Sequence, residues 1–71
     1  METLKISLAA ARVNAGMTQN QVAKVLKVSN KTILNWENGK TAVGYAQATM
    51  LSSLYGIPID NIFLPNELTK I

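Results

Sequence analysis

The side chains best suited to do chemistry lie close together: Asn30, Lys31, Asn35 and Asn38 fall within the stretch NKTILNWEN. At about 100° per residue on a helix, Lys31, Leu34, Asn35 and Asn38 share one side and Asn30 stands at the N-terminal tip. Ile33 and Trp36 take the opposite side, with Glu37 at its margin. A side made of amides, one lysine and a leucine differs from an ordinary solvated helix face, which is built from Glu and Lys pairs. Asn is a poor helix former and sits here at a cost in propensity. What a carboxamide does well is recognition, because it offers a donor and an acceptor together, the pairing that adenine presents in the DNA major groove. A merely polar face is the competing reading, and Leu34 fits either contact with a thymine methyl or packing on a neighbouring segment. Lys40, with the amide and hydroxyl groups around it in NGKT, suits phosphate oxygens rather than base edges.

Other chemistries find little to work with. The 71 residues contain no cysteine and no histidine, so disulfides, thiolate metal sites, the commonest general base and the commonest zinc ligand are missing. The acidic residues, Glu2, Glu37, Asp60 and Glu67, include no pair at a spacing that suggests general acid-base work. No enzymatic activity, metal or cofactor is therefore expected. Seven basic against four acidic residues give a net charge of +3 and a pI near 9.5, a modest bias toward polyanions. No run of about eighteen apolar residues is present to span a membrane, and the N-terminus does not read as a signal peptide, so an intracellular chain is expected.

The stretch that must position the amides runs from Thr18 to Gly39, TQNQVAKVLKVSNKTILNWENG. Apolar residues recur at Val22, Ala23 and Leu26, then at Val28, Ile33 and Trp36, which gives each of two helices one buried face. Thr18 with Gln21 three residues later forms a capping box, and Ser29 supplies a second N-cap directly before Asn30 and Lys31. Two helices of about eight to ten residues joined by a short turn make a helix-turn-helix, the unit that sets its second helix in a DNA groove. The first of the pair, Gln19 to about Leu26, is expected to turn Val22, Ala23, Val25 and Leu26 inward and Asn20, Gln21 and Lys24 outward. Lys27 leaves it where glycine would relieve a left-handed backbone, a conflict worth on the order of 1 kcal/mol.

Around this unit the sequence predicts a first helix from about Leu4 to Ala15, capped by Thr3, with Leu4, Leu8, Ala11 and Ala15 on its inner stripe and Gly16 as its stop. Arg12 lies one step from that stripe, where a snorkelling surface arginine is the ordinary explanation. A further helix, about Tyr45 to Tyr55, buries Ala48, Leu51, Leu54 and Tyr55 and ends at Gly56. A last short turn from Asp60 to Phe63 closes the core with Ile59, Ile62 and Phe63, and Leu64-Pro65 breaks it. One domain over residues 1–64 with a tail at 65–71 is expected.

These stretches carry a family resemblance. From about Leu4 to Phe63 the chain resembles the small helix-turn-helix domains of phage repressors and Cro, the Cro/repressor-type or XRE family of transcriptional regulators. The resemblance runs through AARVNAGMTQNQVA, ILNWENGKT and LSSLYGIPIDNIF, with the capped helix, Trp-Glu-Asn-Gly and the Ile-x-x-Ile-Phe close in order. It implies an all-α, lambda-repressor-like bundle of five short helices whose third enters the major groove. Residue by residue, it implies that Asn30, Lys31 and Asn35 read bases, with Thr32 as a flanking contact and Leu34 beside them. Gln19 would position the protein on a phosphate, and Asn38, Lys40 and Thr41 would hold the DNA backbone after the third helix. Arg12 and Glu37 match the family's internal ion pair between the first and third helices. Two departures stand out. Lys27 replaces the glycine many members carry, and Ala42, Val43 and Gly44 stand where basic residues are often found, which points to weak or cooperative binding.

The expected function is sequence-specific binding of a double-stranded DNA operator, as a repressor of the phage or Cro kind in the cytoplasm of a bacterium or phage-infected host. An antitoxin that regulates its own operon is the alternative, and a helix-turn-helix used to bind a protein partner is another, from a different class. One third helix reaches only a few base pairs, so a two-fold homodimer is expected at least on DNA, reading half-sites about ten base pairs apart. Its contact is expected among Ile57, Ile59, Phe63 and Leu64.

Overall fold

Short-range hydrogen bonds decide where the helices start. In the computed structural model, which describes residues 5–64, the Ser7 hydroxyl accepts the Ala10 N–H at 3.0 Å and opens α1 (Leu8–Asn14). Thr18 and Gln21 form the reciprocal capping box that opens α2 (Gln19–Leu26). Ser29 accepts the Thr32 N–H at 3.1 Å and opens α3 (Asn30–Asn38). A fourth helix, α4 (Tyr45–Tyr55), follows a loop and starts at Gly44. Each side-chain cap satisfies an N–H that the first turn of a helix leaves without an intrahelical partner.

The two ends of the described chain meet. β1 (Ile6–Ser7) and β2 (Ile62–Phe63) pair in parallel, with Ile6 opposite Ile62 and Ser7 opposite Phe63. Parallel strands need a long crossover, and here all four helices make it. The core inside this loop comprises Leu8 and Ala11 of α1, Val22, Ala23 and Leu26 of α2, Ile33 and Trp36 of α3, Leu51 and Tyr55 of α4, and Ile62. Val28, between α2 and α3, packs against it, as do Leu54 and Ile57.

Four sequence expectations change. The first helix does not extend back over Ile6 and Ser7: Ser7 takes the capping role expected of Thr3, and β-branched Ile6 is drawn into the ladder with Ile62. Thr3 and Leu4 lie outside the described residues. The fifth helix is a three-residue 3-10 turn, Ile59–Asn61, closed by the Asn61 N–H on the Pro58 carbonyl at 2.8 Å, after which the backbone turns extended at Ile62. Val25 faces outward at 50% exposure, so the buried stripe of α2 is confined to Val22, Ala23 and Leu26. Ala15 likewise is exposed, because it is the C-cap of α1 rather than part of its stripe. The tail expected at 65–71 lies outside the described residues, and of Phe63 only the backbone is described.

Helix ends fall where the chain can turn left-handed. Gly39 ends α3 at φ 77°, and its N–H donates to Trp36 while the Lys40 N–H donates to the Asn35 carbonyl at 2.9 Å. That arrangement satisfies the last carbonyls of α3 and fixes the direction in which Lys40 leaves it. Lys27 ends α2 in the same conformation at φ 60°, ψ 44°, and among the described residues no other non-glycine residue has positive φ. No described helix is long and apolar enough to cross a membrane.

Candidate nucleic-acid interface

The N-terminal ends of α2 and α3 border one open polar cleft lined by Arg12, Thr18, Gln19, Asn20 and Asn30. Neither helix has an acidic residue in its first turn. The partial positive charge of each helix start is therefore not offset by a carboxylate in its own first turn. Asn30 and Lys31 are exposed on the first turn of α3. One turn on, Leu34 is 40% exposed, and Asn35 is half-buried beside it. Asn38, Lys40 and Thr41 continue the exposed surface past the end of α3. Thr32 is half-buried and its hydroxyl lies 2.9 Å from that of Ser29, so it is engaged with the helix cap.

Behind this surface lies a linked set of charges. The Arg12 Nε donates to Glu37 Oε2 at 2.7 Å, and Nη2 reaches Oε1 at 3.4 Å. The two side chains are only 15% and 6% exposed. Arg12 Nη1 also donates to the Met17 carbonyl at 3.0 Å, and the Gln19 amide donates to Glu37 Oε1 at 2.9 Å. One carboxylate thus joins α1, the start of α2 and the end of α3. The hydrogen bond to Glu37 raises the Arg12 guanidinium above its ordinary pKa, against the opposing effect of burial. Burial also pushes the Tyr55 hydroxyl up to about 12, with the Glu37 charge adding to the shift, so that ring stays neutral behind the pair.

The arrangement can hold α3 at a fixed angle to α2 while leaving its amide side open. A charge-assisted, forked Arg-carboxylate contact is directional as well as strong. Gln19 was singled out from the sequence for phosphate contact; the structure adds its bond to Glu37. No spacing rule foretells that bond, since the two residues lie on different helices. The Met17 carbonyl as an Arg12 acceptor is equally invisible in sequence, because it depends on how the chain turns at Gly16. Among the described residues no group of acidic, histidine or cysteine side chains could hold a metal ion.

The helix-turn-helix family model matches residues 8–62, from the first residue of α1 to the first of β2. No curated protein and no solved structure gives a significant match. The chain belongs to the helix-turn-helix family of Cro/C1 type, a family of DNA-binding regulators.

Proposed function

We propose that this Cro/C1-type helix-turn-helix chain is a sequence-specific repressor of the phage or Cro kind, which occupies an operator and blocks polymerase. The observation that carries the reading is the outward side of α3, where Asn30, Lys31, Leu34 and Asn35 lie next to one another with no acidic residue in the first turn. Asn30, Lys31 and Asn35 read base edges, flanked by Thr32 and Leu34, while Gln19, Asn38, Lys40 and Thr41 hold phosphates. This division follows the general split between base contacts that specify and backbone contacts that position. Residues 1–64 form the DNA-binding domain, and the site of action is the cytoplasm, where the operator is.

The working species on DNA is a two-fold dimer. A single module of this size buries too little DNA surface to find one site among a genome of competitors. Two α3 helices entering successive major grooves on one face of the duplex would stand about 34 Å apart, so the operator is an inverted repeat with half-sites about ten base pairs centre to centre. Selection of bound sites from random duplex DNA tests the reading. Enrichment of such an inverted repeat is the expected result, and a pool that stays random after repeated rounds excludes sequence-specific binding.

A further inference from the structure

α3 carries three large apolar side chains, and the fold uses them differently. Ile33 and Trp36 are 2% and 7% exposed and belong to the core, whereas Leu34 is 40% exposed. Leu34 is also not one of the half-buried apolar residues packed against the core, a set that includes Val43 in the loop after α3. Of the two roles open to it in the sequence, packing on a neighbouring segment is thus not the one the fold provides. A lone exposed leucine is ordinary on a protein surface. Its position here is not, because Leu34 stands one turn beyond Lys31 and beside Asn35, in the middle of the polar outward side of α3.

A helix side laid in a major groove loses water across the contact, so each group on it needs a partner of its own kind. Base edges there present acceptors at guanine N7 and O6, adenine N7 and thymine O4, donors at the amino groups of adenine and cytosine, and one apolar group, the C5-methyl of thymine. Opposite any of the polar atoms a leucine removes water and returns no hydrogen bond, which is unfavourable. Opposite the methyl it takes apolar surface out of water on both sides. Leu34 and Asn35 are one residue apart, about 1.5 Å along the helix axis, which is less than the spacing of about 3.4 Å between base pairs. Asn35 suits adenine N6 and N7, so the two side chains meet the same base pair or adjacent ones.

We infer that Leu34 is a specificity-determining residue that selects a thymine, through its C5-methyl, at the base pair read by Asn35 or at the next one. The inference rests on the DNA reading above and deepens it by naming the chemical group that this part of the surface recognises. It sets a rank order at one position of the half-site. Thymine is bound best. Uracil follows, having the same hydrogen-bonding edge without the methyl. Cytosine is worst, because it lacks the methyl and turns an amino group toward the leucine that cannot accept from it.

The test starts from the operator obtained by site selection and replaces each thymine of one half-site in turn with deoxyuridine, which removes the methyl and keeps the hydrogen-bonding edge. Band-shift titration of the wild-type chain should find one thymine whose methyl is worth about fourfold in affinity, the value of one buried carbon. That thymine should lie within one base pair of the position whose preference Asn35→Ala flattens. Leu34→Ala and Leu34→Ser should each bind the thymine and deoxyuridine operators equally, and lose less than the wild type when cytosine is placed there. Because Leu34 is exposed, both variants should unfold in urea close to the wild type, and the deoxyuridine scan of the wild-type chain needs neither of them. Thr32 brings a second methyl to α3. Thr32→Ser keeps the hydroxyl that meets Ser29 and should leave the preference for thymine over uracil intact. If no thymine methyl matters to the wild type, or if its effect persists in the Leu34 variants or disappears in Thr32→Ser, the inference is overturned while the DNA reading stands. A pool that stays random under selection overturns both.

Discussion

α2 and α3 each begin at a hydroxyl that accepts a backbone N–H, and a buried carboxylate ties both to α1 through Arg12 and Gln19. α4 begins at Gly44 with no side-chain cap, contains no charged residue, and is held by the packing of Ala48, Leu51 and Tyr55. The contrast follows from what each part displays. On the function proposed above, an amide face that reads base edges works only if its helix sits at a defined angle and register, and directional polar contacts fix both. α4 rests instead on the apolar residues beneath it, and non-directional burial is enough to hold a helix that has no amide face to orient.

The largest expected effects test this division. Removing one partner of a largely buried ion pair leaves the other charge poorly compensated, so Glu37→Gln and Arg12→Met should each cost up to about 3–5 kcal/mol in urea unfolding. In so small a domain that is a large share of the total stability. In the other half, Leu51→Ala removes a side chain that is 2% exposed and should cost about 2–5 kcal/mol by leaving a cavity. The two classes differ in their second readout. At temperatures where the Glu37→Gln chain remains folded, its operator binding should fall further than that of Leu51→Ala, because α3 has lost its anchor. Equal binding by the two folded variants would break the comparison.

Next in size are effects on DNA binding alone. Asn35→Ala should cost about 1–3 kcal/mol on the selected operator and flatten preference at one base pair. Lys40→Ala should weaken binding to every sequence and reduce the salt slope by about one. Band-shift titrations at several salt concentrations separate the two. If both variants lose affinity in the same sequence-independent way, the division between base-reading and phosphate-holding residues is wrong.

How much of this was legible in the sequence depends on the distance between the residues that settle each feature. α2, α3 and α4 have the limits read from the chain because Thr18, Ser29, Gly39 and Gly56 act within a few residues of themselves. The start of α1 was misplaced because Thr3 and Ser7 are both capping residue types. What favours Ser7 is the pairing of Ile6 with Ile62 at the far end of the chain, which periodicity does not register. The close, Asp60 to Phe63, reads from the sequence as a short turn, and a fifth helix there is implied only by the family resemblance; the pairing of Ile62 with Ile6 is again out of reach of local signals. On the α3 surface, helical period alone places Lys31, Leu34, Asn35 and Asn38 on one side with Asn30 at the N-terminal tip. The Gln19–Glu37 bond joins residues from separate elements, and only the fold assembles it.

A smaller effect is expected where the polar half departs from its own rule. Lys27 holds a left-handed backbone that costs a side chain about 1 kcal/mol relative to glycine, and it does so at the turn between α2 and α3. Lys27→Gly should therefore raise the unfolding free energy measured in urea by about 1 kcal/mol or slightly less, part of the gain being offset by the greater freedom of glycine in the unfolded chain. A loss of stability would mean that the lysine makes contacts that outweigh its strain.

The smallest effect tests whether α4 lacks a cap because it needs none. Gly44 has φ −67° and ψ 158°, a conformation open to any residue, so a serine hydroxyl there could accept an N–H of the first turn as Ser29 does in α3. A Cβ at Gly44 would stand 2.6 Å from the Gln47 side-chain oxygen. That oxygen is the end of a flexible side chain, so it can swing away at little cost. Exchanging glycine for serine at an N-cap is worth only a few tenths of a kcal/mol. Gly44→Ser should accordingly raise stability by about 0.2–0.5 kcal/mol, with no change in half-site affinity. A gain of 1 kcal/mol or more, on the order of a full cap, would mean that α4 is limited by its start and that the two halves obey the same rule. A loss of similar size would mean that the Gln47 side chain does not swing clear of a Cβ at Gly44, so that the start of α4 is set by packing rather than by a cap.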